Sequence, residues 1–135
     1  MTAPTSCPDN ILCMSIFKQT INNRLRSFGY AFSGIIAFLK SEPNGRVHAV
    51  VTPLVIAAGL YVRLSLVEWC VLVLVIGLVW ITEMLNTAVE KTMDHLSPER
   101  HESVKFVKDV AAGAVLISAV VAVAAGLIIL CQRCW

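Results

Sequence analysis

The sequence predicts an all-α membrane protein, with three transmembrane helices and an N-terminal amphipathic surface helix, on three observations. First, 57% of its 135 residues are hydrophobic and 15% charged, with a mean hydropathy of +0.75. That is too apolar and too weakly charged for an ordinary soluble domain. Second, residues 47–66, 66–85 and 110–130 form apolar runs of about 20 residues, the length that crosses a ~30 Å hydrocarbon core. Third, of eleven Lys and Arg residues, nine lie before the first run or between the second and third, and only Arg63 and Arg133 fall elsewhere. The positive-inside rule then places the N-terminus and the second connecting loop in the cytoplasm, and the first loop and the C-terminus outside. The expected location is the inner (plasma) membrane, multi-pass.

Residues 1–14 read as a loose tail, punctuated by Pro4, Pro8, Asp9 and Asn10, with no signal-peptide core. Residues 15–135 form the functional unit. Across residues 15–40, Phe17, Ile21, Leu25, Phe28, Phe32, Ile35 and Leu39 recur every three or four positions. This is helical periodicity, and Lys18, Arg24 and Arg26 suit the polar side of a helix lying on the cytoplasmic membrane surface. Pro43 disfavours helical geometry at Glu42, and Asn44-Gly45 favours a turn, so the chain is expected to break there and hold Glu42 at the membrane rim.

The first span ends near Arg63, and Leu64, Ser65 and Leu66 alone remain to turn the chain, which requires a tight antiparallel hairpin. The second helix is expected from Ser65 to Asp94, with Trp69 and Trp80 as lipid or interface anchors. Ser97 and Pro98 have the character of an N-cap and first position for a third helix. Ala112, Gly113, Ala122, Ala125 and Gly126 give that helix small faces for close packing. Five cysteines carry little information, since Cys131 and Cys134 make a single C-x-x-C with no second pair to complete a zinc site.

The chemistry concentrates in the second helix. At ~100° per residue, Glu83, Asn86, Glu90 and Asp94 fall on one narrow stripe at the edge of an apolar run. Carboxylates at that depth cost free energy and are therefore read as functional. Glu42, the Glu83 to Asp94 stripe, and Lys108 with Asp109 bring polar groups from three segments to one membrane level. Glu83 and Glu90 stand ~10.5 Å apart along the axis, too far for easy joint chelation of one small cation, so their roles differ. Mg²⁺ commonly takes one or two carboxylates plus substrate phosphates, which pairs Glu90 with Glu42. Glu83, deeper in the apolar layer, suits a general base, and Lys108 suits neutralising phosphate charge. No soluble nucleotide-binding signature is present. The competing reading is a small transporter or proton relay built on the intramembrane carboxylates. Such a relay needs polar groups across the bilayer, and Ser118 is almost the only one in the third span.

Glu83-Met84-Leu85-Asn86-Thr87-Ala88-Val89-Glu90, followed by Asp94, and Lys108-Asp109-Val110-Ala111-Ala112-Gly113-Ala114-Val115-Leu116 carry a resemblance. From about Arg24 to Leu130 the chain resembles the small prokaryotic integral-membrane diacylglycerol kinase family, whose close relatives phosphorylate undecaprenol. The resemblance implies a lipid kinase with ATP as co-substrate, Mg²⁺ as cofactor and a lipid alcohol as substrate. It implies Glu83 as proton acceptor, Glu42 and Glu90 as metal ligands, and nucleotide contacts from Tyr30, Glu42, Glu90, Lys108 and Asp109. Glu99, Arg100 and His101 hold the place of a nucleotide-binding loop, and Asn86 and Asp94 support the site. Homotrimers are implied, with sites shared between subunits, and no nucleic-acid partner is expected. Ser33 stands where relatives often carry Lys, and Asn23 where a basic residue is expected. His48 after Arg46, and the Ser97-Pro98-Glu99 turn, look more like the undecaprenol kinase branch.

Overall fold

The computed structural model describes the backbone of residues 10–97 and 101–134, and side chains from residue 19 to 97 and 101 to 133. All regular structure among these residues is helical: α1 Asn10–Ser41, α2 Pro43–Tyr61, α3 Leu66–Leu96 and α4 Glu102–Cys134. Residues up to Ala37 and residues from Phe38 onward are separate compact units and are taken one at a time.

The first unit is the greater part of α1. The helix starts at Asn10, inside the stretch expected to be loose, and the expected periodicity runs along it. Its apolar stripe is exposed, with Leu25, Phe28 and Phe32 each more than 60% accessible. Tyr30 is also exposed.

In the second unit the chain breaks at Glu42, as Pro43 requires. Glu42 is extended (φ −110°, ψ 121°) and caps α2, with Pro43 at the start of the helix. Pro is favoured there because its φ is already helical and its missing N–H would lack an intrahelical partner anyway. The expected turn at Asn44-Gly45 does not form; both residues are helical, and no glycine has a positive φ. Gly45 is instead there for contact. A Cβ on it would come 2.6 Å from Cε1 of Phe38, so the glycine lets the last turns of α1 lie against the first turn of α2 and fixes where Glu42 sits.

Helix α2 ends at Tyr61, earlier than the expected span, and Arg63 turns the chain in the left-handed region (φ 54°). Ser65 then caps α3. Its hydroxyl receives the Glu68 N–H, and the Glu68 carboxylate receives the Ser65 N–H at 2.6 Å. Helices α3 and α4 are long and apolar enough to cross a membrane. The 19 residues of α2 reach ~28 Å. Ser97 closes α3, its N–H bonded to the Met93 carbonyl at 3.0 Å, and α4 is described from Glu102. Pro98 lies outside the described residues.

Most of the packing lies between α3 and α4. Phe38, Leu72, Val79 and Ile129 are the buried apolar residues. The two tryptophans expected as lipid or interface anchors also tie α2 to α3. Trp69 rests near Gly59, where an added Cβ would meet its ring at 3.0 Å. Trp80 donates its indole N–H to Thr52 Oγ1 at 3.0 Å, with Phe38 edge-on to it at 6.3 Å.

Candidate functional site

Helix α3 carries Glu83, Asn86, Glu90 and Asp94 in successive turns. Glu83 is buried, 3% exposed, and among the described residues no hydrogen-bond or ion-pair partner reaches its carboxylate. Directly before it, Thr82 ties α3 to α4 through a 2.8 Å contact with Ser118 Oγ. Ser118 is 2% exposed and donates to the Val115 carbonyl at 2.7 Å, while Thr82 lies 2.9 Å from the Leu78 carbonyl. Two hydroxyls, each with one proton, thus anchor both helices at the level of Glu83. Their separation of 36 residues gave no local signal, although Ser118 stood out as the one polar residue in its run.

One turn further along, Asn86 Nδ2 donates to Glu90 Oε1 at 3.0 Å, which orients that carboxylate. Asn86 Oδ1 is buried without any hydrogen bond. Glu42 reaches the same stretch of α3 from the α1–α2 junction, with its Oε1 3.1 Å from Lys91 Nζ. That oxygen is also buried and the ammonium lies outside hydrogen-bond geometry, so Glu42 Oε1 has an ion-pair partner but no hydrogen bond. Sequence reasoning paired Glu42 with Glu90 and missed Lys91, the neighbour that reaches it.

Lys108, on α4, is ion-paired with Asp94 Oδ1. This joins two expected site residues across the α3–α4 hairpin. Asp109 is exposed beside it. His101 precedes α4 and is exposed, its carbonyl receiving the N–H groups of Val104 and Lys105 at 3.1 Å. Glu99 and Arg100 lie outside the described residues. Tyr30 belongs to the first unit.

Among the described residues no group of three or more His, Cys, Asp or Glu side chains stands ready to hold a metal. Mg²⁺ asks for less, because it keeps waters and takes substrate phosphates, needing only one or two protein carboxylates. Two buried oxygens without hydrogen bonds, Glu42 Oε1 and Asn86 Oδ1, are hard donors of the kind it accepts. Buried polar atoms are rarely left without a hydrogen bond in folded proteins. The chemistry of these two atoms is compatible with a hard cation.

The chain matches the family described as prokaryotic diacylglycerol kinase over residues 29–130. It is 38% identical to an undecaprenol kinase of Bacillus subtilis over 112 residues, covering 83% of this chain and 91% of that protein. It is 39% identical to a diacylglycerol kinase of Synechocystis over 109 residues, covering 80% of this chain and 62% of that protein. Against a diacylglycerol kinase of Escherichia coli K12 the identity is 30% over 99 residues, or 73% of this chain and 81% of that protein.

Proposed function

The chain belongs to the prokaryotic diacylglycerol kinase family, which makes it a membrane-associated lipid kinase, and from that premise we propose how its residues carry out the reaction. ATP is the phosphoryl donor and the acceptor is the hydroxyl of a lipid alcohol, diacylglycerol or undecaprenol, at the cytoplasmic membrane interface. Glu83 takes the proton from the hydroxyl as its oxygen attacks the γ-phosphorus. The new O–P bond forms as the bond between that phosphorus and the β–γ bridging oxygen breaks, and ADP departs. The observation that carries this reading is Glu83 itself, 3% exposed and without a partner among the described residues. A structural carboxylate in that position would be paired.

Glu42 and Glu90, with Asn86 beside them, would hold Mg²⁺, which when bound supplies charge neutralisation on the phosphates. Asn86 orients Glu90 through its 3.0 Å bond. Asp94 holds Lys108 toward the nucleotide, where its ammonium offsets phosphate charge. Tyr30, Glu99, Arg100, His101 and Asp109 complete the nucleotide contacts. Residues 15–135 act as one kinase unit with α1 on the membrane surface, α2 as a third span beside α3 and α4, the N-terminus cytoplasmic and the C-terminus outside. The unit works as a homotrimer. A proton relay would need polar groups continuing along α3 and α4, and the residues from Leu72 to Val79 are all apolar or glycine.

The test uses purified protein, radiolabelled ATP, and diacylglycerol, undecaprenol and a long-chain alcohol as acceptors. Glu83→Gln is expected to lower turnover at least ~10²-fold, the usual worth of a positioned base, on whichever acceptor the unaltered protein uses. Near-normal turnover would remove Glu83 from the mechanism.

A further inference from the structure

Lys91 has a place beside the site that the reaction above does not use. It follows Glu90 on α3 and lies ~20° round that helix from Trp80, which meets α2 through Thr52, and ~180° from Thr82, which meets α4 through Ser118. Its ammonium therefore comes to the carboxylate stripe from the α2 side, while Lys108 comes to it from α4. Two cations flank the stripe from opposite directions.

The acids that hold them differ in kind. Lys108 is paired with Asp94, which the metal reading leaves out. Lys91 is paired with Glu42, one of the two proposed metal ligands, so a cation on Glu42 Oε1 and the ammonium compete for one atom. The contact is also weak. Lys91 Nζ stands 3.1 Å from Glu42 Oε1 outside hydrogen-bond geometry, and the lysine side chain is 65% exposed against 18% for the glutamate. Pairs with one partner in water contribute little to stability, yet this one offsets part of the cost of burying a carboxylate oxygen that has no hydrogen bond.

We propose that Lys91 is a displaceable counter-ion of Glu42 and that it makes metal binding depend on the nucleotide. The inference rests on the metal reading above and adds a competitor for one of its ligands. When a divalent cation binds Glu42 alone, the ammonium is driven into water and gains no new partner. When the cation comes with nucleotide, phosphate oxygens arrive on the flank where the ammonium stands, and its flexible four-carbon stem lets it move to them. Lys91 then passes from a carboxylate to a phosphate, and the site favours the metal–nucleotide complex over the metal by itself.

Lys91→Met tests this, because it removes the charge and keeps an unbranched side chain of good helix propensity. Mn²⁺ replaces Mg²⁺ as the probe, since it accepts the same carboxylate and water ligands. Equilibrium dialysis of purified protein against Mn²⁺ alone, and then against its complex with the β,γ-imido analogue of ATP, reads binding without turnover. Lys91→Met should bind Mn²⁺ alone about two- to fivefold more tightly, the range that a half-exposed ion pair covers, and should bind the complex no more tightly than the unaltered protein does. Lys91→Arg keeps the charge and offers the carboxylate a hydrogen-bonding fork, so it should not tighten Mn²⁺ binding. Unchanged or weaker binding of Mn²⁺ alone to Lys91→Met overturns the proposal, as does an equal gain for Mn²⁺ and for the complex, or a gain in Lys91→Arg as well. Glu42→Gln separates failure of the proposal from failure of the metal reading. It should weaken Mn²⁺ binding and erase the effect of Lys91→Met in the double variant. Should Glu42→Gln leave Mn²⁺ binding unchanged, the metal reading falls and the counter-ion with it; should it weaken binding while Lys91→Met fails to tighten it, the counter-ion alone falls.

Discussion

The two ends of the α3–α4 pair treat their charges in opposite ways. At the end beside the α2–α3 turn, Glu68 accepts from the Ser65 N–H and hydroxyl, both at 2.6 Å, and is ion-paired with Arg133. Arg133 also donates to the Val62 carbonyl at 3.3 Å. Both groups there are paired, joining the capping box of α3 to the last turn of α4. At the other end, among the described residues, Glu83 has no partner, Asn86 Oδ1 has no hydrogen bond, and Glu42 Oε1 has only the ammonium of Lys91. A polar network whose members are all satisfied holds a fold together. One left incomplete calls for an explanation, which the proposed metal-bound nucleotide would supply. The comparison predicts that substitutions at the two ends separate activity from stability.

The largest effect belongs to Glu83→Gln. Because no interaction of its carboxylate with another described residue is lost, thermal stability should stay nearly unchanged. Turnover should still fall at least ~10²-fold. Parallel loss of melting temperature and activity would mean that Glu83 is a structural group after all. Next in size, Glu42→Gln should cut activity on the order of 10- to 100-fold and raise the Mg²⁺ concentration giving half-maximal rate. Measuring rate against Mg²⁺ decides it, because a mere packing role for Glu42 would lower the plateau without moving the midpoint. Glu90→Gln should behave alike.

Much of this asymmetry is readable in the sequence, for physical reasons that differ by residue. The stripe from Glu83 to Asp94 follows from helical spacing, and the break at Glu42 from the steric demand of Pro43. Both are local rules acting within a few residues. The pairs Glu42 with Lys91 and Asp94 with Lys108 join different elements, and no local pattern says which acid meets which base. Asn44-Gly45 misleads because the dipeptide suits a turn equally well. What decides in favour of helix is Pro43 at its start, and the Phe38 ring that needs the absent Cβ. The capping box Ser65-x-x-Glu68 has a recognisable signature, yet in a run this apolar it looks like the rim of a span. The early end of α2 and the tryptophan ties between helices depend on packing, which hydropathy does not encode.

Gly45→Ala tests how tightly the incomplete end is held from outside. A Cβ 2.6 Å from Phe38 forces the ring to move, and overpacking of this kind costs about 1–3 kcal/mol. Because Gly45 lies three residues from Glu42, the shift should reach the site. Activity should fall together with the melting temperature, and Phe38→Leu in the same chain should recover part of both by making room. Failure of the double substitution to recover either would mean that the contact does not position Glu42.

The smallest change in activity is expected from Arg133→Gln at the satisfied end. It leaves Glu68 with its Ser65 bonds and takes away the tie to α4, so the melting temperature should drop modestly, and by less in high salt, where the ion pair is already screened. Turnover per folded molecule should stay within about twofold, since α3 and α4 remain joined beside Glu83 by Thr82 and Ser118. The charge-swapped pair, Glu68→Arg with Arg133→Glu, should restore only part of the stability, because an arginine at position 68 loses the capping box while the cross-helix ion pair returns. Should Arg133→Gln instead lower turnover as strongly as Glu42→Gln, the two ends would be mechanically coupled through α4, and the separation of fold from chemistry drawn from their hydrogen bonds would fail.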